Sequence, residues 1–245
     1  MSTSAGRNLV FIWLAAITGS LGWIAWSQAQ ADRKVTSFDE INVHRINIVE
    51  PDGKPRVIIA NSKRMAGLYW GGKEYKHHQR NEGGFLFFND DGDEVGGLIF
   101  KSQTKDGKSS AKSSLLFDQY KQGETLGLSY SEEDRKRQAG LSVWDQPDES
   151  IFPAIELSNK LMSATSDAER AALKAQMKQM EESLKSKGYF TERFFAGKQL
   201  EDSLVKLADS KGRPRLVLKV DGKGEPSVEF LDEAGKVVNR ISGKE

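Results

Sequence analysis

The chain of 245 residues contains no cysteine, only six prolines and only three histidines. The lack of cysteine excludes a disulfide scaffold and a thiol nucleophile. The composition, with 38% hydrophobic and 29% charged residues, excludes a disordered or collagen-like chain. We therefore expect a folded protein.

The chain also lacks an excess of charge of either sign. All but one of its 36 lysine and arginine residues and all 35 acidic residues follow residue 31, so this larger part has no net charge. Nucleic-acid binding depends on positive charge that releases counterions from phosphate, so the composition argues against nucleic acid as a partner. A chain of this size buries roughly 70% of its unfolded surface, and its core needs no disulfide or metal.

One long run near the N-terminus, Leu9 to Trp26, has no charged residue. At about 1.5 Å per residue its helix approaches the hydrocarbon thickness of about 30 Å, whereas the apolar part of a cleaved signal peptide usually has about 7 to 15 residues. The pattern favours a transmembrane anchor, with the membrane bound through residues 9–26. The alternative is a signal peptide cleaved after Ala31, which completes a small-x-small pattern and would give a secreted protein.

The sequence beyond this run predicts one β-rich domain with a helical insertion. We expect the main domain on the extracytoplasmic (periplasmic) side, and we leave the oligomeric state open. The predicted layout is a tail at 1–7, the anchor at 8–27, a tether at 28–37 and the domain at 38–245, with helices at about 154–187.

Three turns of the form D-x-x-G, at 209–212, 221–224 and 232–235, separate short apolar runs near the C-terminus. Aspartate at the first position accepts a hydrogen bond from a backbone N–H group two residues on, and glycine at the fourth position supplies positive φ. This pattern predicts a four-stranded antiparallel meander. Because Leu216, Leu218 and Val220 alternate with other residues, we expect one buried and one solvated face.

Related turns occur earlier, at 50–53 and 89–92, and Gly71-Gly72 predicts a tight hairpin. Further strands are predicted at the apolar or alternating runs 84–88, 98–101, 114–117, 126–130 and 140–144. The spacing of the turns is irregular, so a fixed-period solenoid or propeller is not supported.

A helical hairpin is predicted to interrupt the strands. Ser166 and Glu169 have the spacing of a capping box, and Gly188 stands where a helix would end. Leu173, Met177, Met180 and Leu184 recur at helical spacing, and a shorter helix is predicted at about 154–163. The predicted fold class is mainly β, built of antiparallel hairpins or a meander, with an inserted helical hairpin and one N-terminal transmembrane helix. We expect the C-terminal strands to share a core with residues 38–148 and the helices to cover one face.

Two segments resemble a group of uncharacterised bacterial proteins with a short N-terminal membrane segment and repeated hairpins of the form D-x-x-G-[KR]-x-R. They are FDEINVHRINIVEPDGKPRVIIAN, from Phe38, and RPRLVLKVDGKGEPSVEFLDEAGKVV, from Arg213. The resemblance implies a bacterial source and a similar hairpin architecture. It assigns no catalytic, cofactor or metal residue.

The common catalytic and metal motifs are missing. The sequence has no H-E-x-x-H, and G-x-S-x-G does not occur outside the apolar run. The segment 106–109 resembles the end of a P-loop but lacks the first glycine, so we interpret it as a mobile loop. Asn89, Asp91 and Asp93 alternate like calcium ligands, but the EF-hand spacing is wrong, and a solvated turn is the better interpretation. We therefore assign no catalytic, cofactor or metal residue.

Two sets of residues are candidates for ligand binding, each with a structural alternative. Arg56 and Arg215 occupy equivalent positions and would form a paired anion clamp, or else cross-strand ion pairs. An aromatic platform for a sugar or peptide would use Tyr69, Trp70, Tyr75, His77 and His78, which otherwise form a hairpin packed into the core. In the same way Met162, Met177 and Met180 are interpreted as core residues.

The sequence thus leaves two hypotheses for function. The first is a membrane-anchored, non-enzymatic binding or assembly module of the bacterial envelope, whose partner is an envelope protein or glycan. The alternative is a carboxylate-dependent hydrolase acting on envelope glycans. Its candidate residues are Asp118, Glu124, Asp145 and Asp148, of which two would have to face each other across a cleft.

Overall fold

Short turns join strands that follow one another along the chain, and this produces an antiparallel meander. The computed structural model describes residues 36–75, 78 and 80–243 and, nearer the N-terminus, Ile17, Thr18, Ser20 and Trp23. The strands are β1 (Arg45–Val49), β2 (Pro55–Ala60), β3 (Leu68–Trp70), β4 (Lys73–Tyr75), β5 (Gly83–Phe88), β6 (Glu94–Lys105), β7 (Lys108–Asp118), β8 (Glu124–Glu133), β9 (Lys136–Asp145), β10 (Thr191–Gln199), β11 (Asp202–Ala208), β12 (Pro214–Val220), β13 (Pro226–Leu231) and β14 (Val237–Ser242).

One sheet contains twelve of the strands in the described part of the chain. Its order is β1-β2-β5-β6-β7-β8-β9-β10-β11-β12-β13-β14, and each strand pairs antiparallel with its neighbours. Strands β3 and β4 form a separate hairpin inserted between β2 and β5. The prediction of a mainly β antiparallel fold is confirmed.

The predicted D-x-x-G turns have the expected chemistry. At the first of them Asp209 Oδ1 accepts hydrogen bonds from the N–H groups of Lys211 and Arg213, at 2.9 and 3.1 Å. The N–H group of Gly212 donates to the carbonyl oxygen of Asp209 at 2.9 Å, and Gly212 has a φ of +73°. The turns that begin at Asp221 and Asp232 repeat this arrangement.

The segment 106–109 differs from its prediction. Strands β6 and β7 continue to Lys105 and Lys108, which pair directly, so only Asp106 and Gly107 form the turn. Their φ angles of 52° and 76° are those of a tight two-residue hairpin turn. The prediction of a mobile loop was wrong, because the Asp-Gly turn signal outweighs the glycine- and serine-rich composition around it.

Two helices lie between β9 and β10 in the described chain, α1 (Phe152–Ser163) and α2 (Asp167–Ser186), close to the predicted insertion at about 154–187. The N–H group of Glu169 donates to Ser166 Oγ at 3.2 Å, while Glu169 Oε2 accepts from the N–H group of Thr165 at 3.1 Å. At the other end Gly188 has positive φ, and the N–H group of Tyr189 reaches the carbonyl oxygen of Leu184 at 3.0 Å. These are the contacts of an N-terminal cap and a Schellman motif.

The strands on the two sides of the helices are direct neighbours. Residues of β9 and β10 pair from Thr191 with Asp145 to Gln199 with Gln138, across one register shift. Helices α1 and α2 are therefore an insertion, and the C-terminal strands continue the sheet that begins at β1. Residues 44–245 form one compact unit.

The core is small and lies towards the N-terminal end of this sheet. Ile58, Ala60, Leu86 and Phe88, on β2 and β5, pack together with Ala66. The C-terminal strands join edge to edge and do not share this core, which differs from our expectation. Phe195 on β10 is fully buried, but on β11 to β14 several apolar side chains, including Leu218 (41% exposed), Phe230 (40%) and Ile241 (60%), remain partly exposed.

The predicted anchor at residues 9–26 lies outside the described residues, apart from Ile17, Thr18, Ser20 and Trp23. These four have helical backbone, and Ser20 Oγ donates to the carbonyl oxygen of Ile17 at 2.9 Å. Among the helices of the described chain, none combines the length and the apolar character that crossing a membrane requires.

Candidate functional site

A cavity of about 290 Å³ lies where the β3–β4 hairpin and helix α1 meet the sheet, and we call it the junction cavity. Four charged side chains line it together with three further polar groups, an amide, a phenol and an imidazole. The rest of its wall is largely apolar. The lining residues are Arg80, Glu94, Asp118, Glu124, Gln122, Tyr189, Leu68, Trp70, His78, Gly123, Ile151 and Ile155.

A bulge and a tight turn bring two carboxylates to the same place. The pairing of β7 with β8 shifts register between Phe117 and Asp118, after which Asp118 lies opposite Glu124. A bulge changes the face to which the following side chain points. In the intervening turn the N–H group of Gln122 donates to the carbonyl oxygen of Gln119 at 2.9 Å, so Gln122 and Gly123 also border the cavity.

Arg80 and Glu94 form an ion pair in the wall of the cavity. Arg80 Nη2 lies 2.6 Å from Glu94 Oε1, and Arg80 Nη1 donates to the carbonyl oxygens of Ala66 and Gly67 at 3.1 and 2.7 Å. These backbone contacts hold the guanidinium in place. The second oxygen of Glu94, Oε2, is buried and has no hydrogen-bond partner among the described residues. Burial raises the pKa of Glu94 above its ordinary value, although Arg80 opposes this shift.

The carboxyl group of Asp118 also has a raised pKa. Burial raises its pKa to about 8, and the nearby Glu124 and Glu94 contribute in the same direction, whereas Arg80 lowers it. Burial also raises the pKa of Tyr189, with further contributions from Glu124 and Asp118. Asp118 therefore keeps a proton near neutral pH.

Stacked rings fix the apolar wall of the cavity. The rings of Trp70, on β3, and Phe152, at the start of α1, stack with centroids 5.1 Å apart and an interplanar angle of 12°. The ring of Tyr75 contacts Phe152 edge-on at 6.4 Å. The N–H group of Ile151 donates to the carbonyl oxygen of Lys121 at 3.0 Å, which joins the start of α1 to the β7–β8 turn. The hairpin, the helix and the sheet thus form the cavity together.

An ion pair next to the cavity attaches the hairpin to the sheet. Asp93 is 1% exposed and accepts hydrogen bonds from the N–H group of Gly71, at 2.6 Å, and from Lys121 Nζ, at 2.5 Å. The ammonium group also lies 3.0 Å from Asp91 Oδ2 and 5.2 Å from the ring centroid of Trp70. The hydrogen bond with Asp93 raises the pKa of Lys121 to about 12.

The structure brings together two of the four acids proposed for a hydrolase. Asp118 and Glu124 are partners on the adjacent strands β7 and β8, and both border the junction cavity. Asp145 instead forms an ion pair with Arg193 at 2.5 Å, and Asp148 is exposed in the segment after β9. The sequence did not distinguish between these pairs of acids, because carboxylate pairs have no local spacing rule.

The aromatic candidates pack inside the molecule. The ring of Tyr69 contacts Phe88 edge-on at 5.1 Å, Tyr75 is 8% exposed, and Trp70 stacks on Phe152. His77 lies outside the described residues, and of this set only Trp70 and His78 border the junction cavity. The geometry corresponds to a packed hairpin and not to an exposed platform.

Arg56 and Arg215 cannot form a paired clamp. Seven strands separate β2 from β12, which corresponds to roughly 40 Å at a spacing of about 4.8 Å per strand. Arg56 pairs with Glu50, at 2.6 Å, and with Asp90. Arg215 Nη1 lies 3.8 Å from Asp209 Oδ2, and its Nε donates to a backbone carbonyl oxygen. The arginines therefore stabilise two separate turns, and the clamp hypothesis was wrong.

The candidate calcium ligands are engaged by donors of the protein itself. Asn89 Oδ1 accepts from the N–H group of Asp93 at 3.0 Å, and Asp91 Oδ2 accepts from Tyr120 Oη at 2.9 Å. Within the described ranges, no group of three acidic or histidine residues is arranged to hold a metal ion. The residues 89–92 form a turn, as the alternative interpretation predicted.

A second concave surface lies on strands β11 to β14 and is almost entirely apolar. It measures about 590 Å³, and its walls include Leu204, Leu218, Val220, Val228 and Ile241. Ligand sites combine apolar walls with a few polar groups that orient the ligand. Because the junction cavity has such groups and this surface has few, the junction cavity is the better candidate.

Sequence reasoning did not identify Arg80, Glu94 or Tyr189. They are distant in the chain from Asp118 and Glu124 and belong to no motif. The sequence signal for two of them was their position beside turns, since Glu94 follows the turn at 89–92 and Tyr189 follows the helix-ending Gly188.

No protein-family model matches the chain, and no curated protein sequence matches it either.

Proposed function

We propose that this chain is a membrane-tethered, non-enzymatic binding module of the bacterial envelope and that the junction cavity is its ligand site. The cavity is the observation that carries the proposal, because it combines apolar walls with a few converging polar groups. That combination is typical of sites for small ligands. The envelope location rests on the apolar run at 9–26 and on the resemblance of the hairpin segments to bacterial membrane-anchored proteins.

The size of the cavity favours binding over glycan hydrolysis. Ligand pockets usually measure about 300 to 1,000 Å³, and this cavity, at about 290 Å³, lies at the lower limit. A glycosidase has to hold sugars on both sides of the bond that it breaks. A cavity of this volume admits one small chemical group of a partner more readily than two adjoining sugars.

A carboxylate-dependent hydrolase remains the second candidate, and one observation favours it. The raised pKa of Asp118, with Glu124 opposite, resembles the pairing of a protonated acid with a carboxylate in glycosidases. In that function Asp118 would donate a proton to the leaving oxygen, and Glu124 would act on the opposite side of the bond.

Binding and hydrolysis are tested on the same sample. The full chain in nonionic detergent micelles is incubated with soluble glycan and peptide fragments from digested bacterial envelope. Ligand-observed NMR detects bound fragments, and a reducing-end assay detects hydrolysis. We expect binding without new reducing ends. New reducing ends that disappear in Asp118→Asn would establish the hydrolase instead.

A variant that fills the junction cavity tests whether the fragments bind there. A Cβ atom on Gly123 would meet only Gln146 Nε2 at 3.8 Å and Tyr189 Oη at 3.9 Å, and no positive φ opposes a side chain there. Gly123→Leu should therefore occupy the cavity without backbone strain and abolish fragment binding. Asp148→Asn, at an exposed acid outside the cavity, is the control. Equal binding by wild type and Gly123→Leu would refute the junction cavity as the ligand site.

A further inference from the structure

We propose that one face of the twelve-stranded sheet binds the same face of a second copy of this chain, in a dimer with two-fold symmetry. This inference goes beyond the proposed function and does not involve the junction cavity. Directly paired residues of neighbouring antiparallel strands have their side chains on the same face of the sheet. The pairing of the strands therefore identifies the side chains that share this face.

A row of twelve directly paired residues crosses the whole sheet, one from each strand, and every one of them is apolar. It begins at Ile46 on β1, passes through Leu98, Leu128 and Leu218, and ends at Ile241 on β14. None of the twelve is buried, and Leu128 is 57% exposed. Apolar residues scattered singly over a surface need no explanation, but a contiguous row of them indicates an interaction surface.

A second row lies beside the first, two residues away on each strand. It begins at Ile48, passes through Phe117 and Phe230, and ends at Asn239. Ten of its twelve residues are apolar, the exceptions being Gly96 and Asn239. No residue of either row is charged. We call the surface formed by these two rows the apolar face.

The protein covers the opposite face of the sheet with its own residues. Successive side chains of a strand point to opposite faces, so Ile58 lies on the other side of the sheet from Ile59. There Ile58 and Leu86 are almost fully buried and pack with Ala66, from the segment before the β3–β4 hairpin. On the apolar face, by contrast, Gly96 is the one buried residue of the two rows. The rows are therefore available to a partner.

The apolar face has the area that a stable dimer needs. Twelve strands at a spacing of about 4.8 Å extend over about 53 Å, and two rows cover about 14 Å along the strands. The product, about 700 Å², exceeds the largest apolar patch of a typical monomer, which measures about 300 to 600 Å². It is close to the area of about 800 Å² that each partner contributes to a specific protein–protein interface.

The twist of the sheet favours a second copy over a membrane or a lipid. Neighbouring strands of a sheet are rotated by about 20°, so a face that crosses twelve strands turns by about 200°, and a flat bilayer would contact only part of it. An acyl chain extends over about 15 Å, half of the hydrocarbon core, and would cover only a few strands. A second copy has the same twist, so the two faces stay in contact as they do in aligned sheet packing.

Two-fold symmetry also matches the chemistry of the two surfaces. A self-complementary patch forms a closed dimer, and homodimer interfaces are more apolar than other protein–protein interfaces. Because neither row has a charged residue, the contact leaves no buried charge without a partner. The concave apolar surface on β11 to β14 includes Leu218, Val228 and Ile241 of the first row, and it would receive side chains of the second copy.

Sedimentation velocity of the full chain in nonionic micelles measures the number of chains per particle. We expect wild type to be a dimer. Leu128→Glu places a carboxylate in the middle of the interface and should weaken the dimer at least about tenfold, or about 1.4 kcal/mol. Gln138→Glu is the control, because Gln138 is exposed on the opposite face and the change adds the same charge. Near-ultraviolet circular dichroism verifies folding, and Leu218→Glu replaces Leu128→Glu if that variant does not fold.

These variants also distinguish the apolar face from other means of association. All of them keep residues 9–26, so a dimer held together by that run would survive in Leu128→Glu and in Leu218→Glu. A dimer of unchanged strength in the folded variants would overturn the inference. A wild type that remains monomeric at high micromolar concentration would overturn it too.

A photoreactive residue identifies what covers the apolar face. Phe117, which is 44% exposed in the second row, is replaced by benzoylphenylalanine in the full chain, reconstituted in phosphatidylcholine vesicles. We expect a covalent dimer in which the probe is joined to row residues of another copy, and no dimer from the same probe in place of Gln138. A product with phospholipid, or with residues 9–26 of the same chain, in place of the dimer would overturn the inference.

Discussion

The turn glycines allow the most direct test of the architecture, because two of them differ in surroundings but not in backbone conformation. Gly212 and Gly235 have φ angles of 73° and 79°, in the same type of turn. A Cβ atom on Gly235 would meet nothing within 4 Å, whereas one on Gly212 would lie 3.1 Å from Thr191 Cγ2. Gly235→Val therefore isolates backbone strain, and Gly212→Val adds a steric contact.

The size of each effect follows from these surroundings. A left-handed conformation costs an L-residue about 1 to 2 kcal/mol, and the loss of glycine's freedom in the unfolded chain recovers about 0.4 to 1 kcal/mol. Gly235→Ala should thus destabilise by about 1 kcal/mol. The β-branched Gly235→Val should cost about 1 to 3 kcal/mol. Gly212→Val should cost about 1 kcal/mol more, because its methyl groups would crowd Thr191.

Urea unfolding of the full chain in nonionic micelles, followed by near-ultraviolet circular dichroism, measures these differences. Ser210→Ala is the control: Ser210 is exposed in the same turn, and its loss should change the unfolding free energy by less than about 0.5 kcal/mol. Glu233 does not serve as a control, because it contacts Arg213 at 2.6 Å. Valine variants that unfold like wild type would refute the turn geometry on which the meander depends.

Three further predictions concern the cavity, the hairpin and the membrane. Because the folded protein keeps a proton on Asp118 up to a pH of about 8, whereas the unfolded chain releases it near pH 4, stability should fall as pH rises through this window. The free energy of unfolding should fall by at most about 1.4 kcal/mol per pH unit. Urea unfolding at several pH values should show no such fall in Asp118→Asn. Lys121→Met leaves the buried Asp93 without its cation and should lower the free energy of unfolding by about 2 to 3 kcal/mol in the same assay, since Lys121 is partly exposed. An unchanged urea midpoint would contradict a stabilising role of this ion pair. The protein should stay in the membrane fraction at high salt through residues 9–26, and a mature N-terminus at Asp32 would contradict this.

Much of the local structure follows from the sequence. The D-x-x-G turns, the Gly71-Gly72 hairpin and the ends of α2 all depend on contacts within a few residues, so their chemistry is visible in the chain. The Asp106-Gly107 hairpin is an exception, because the glycine- and serine-rich residues around it are typical of a loop although the two residues form a tight turn. The pairing of strands that are joined by a short turn can also be predicted from the sequence, because the turn places each strand beside the preceding one.

The candidate site was predictable only in part. Asp118 and Glu124 were among four acids that the sequence could not rank, and Arg80, Glu94 and Tyr189 were not identified. A bulge after Phe117 and the stacking of Trp70 on Phe152 decide which groups meet. Neither the bulge nor the ring stacking can be recognised from the residues that are adjacent in the sequence.

Most strands, turns and helices can be predicted from the chain alone, because they depend on backbone preferences and on hydrogen bonds over short distances. The edge-to-edge extension of the sheet by the C-terminal strands, which leaves Leu218 and Ile241 exposed, depends instead on tertiary packing. Apolar residues alternate in the same way whether a face of the sheet is covered or exposed to solvent. The period indicates on which face a side chain lies, but it does not indicate whether another element packs on that face. The junction cavity likewise exists only after the hairpin and α1 pack on the sheet, because its charged groups come from segments that are far apart in the chain.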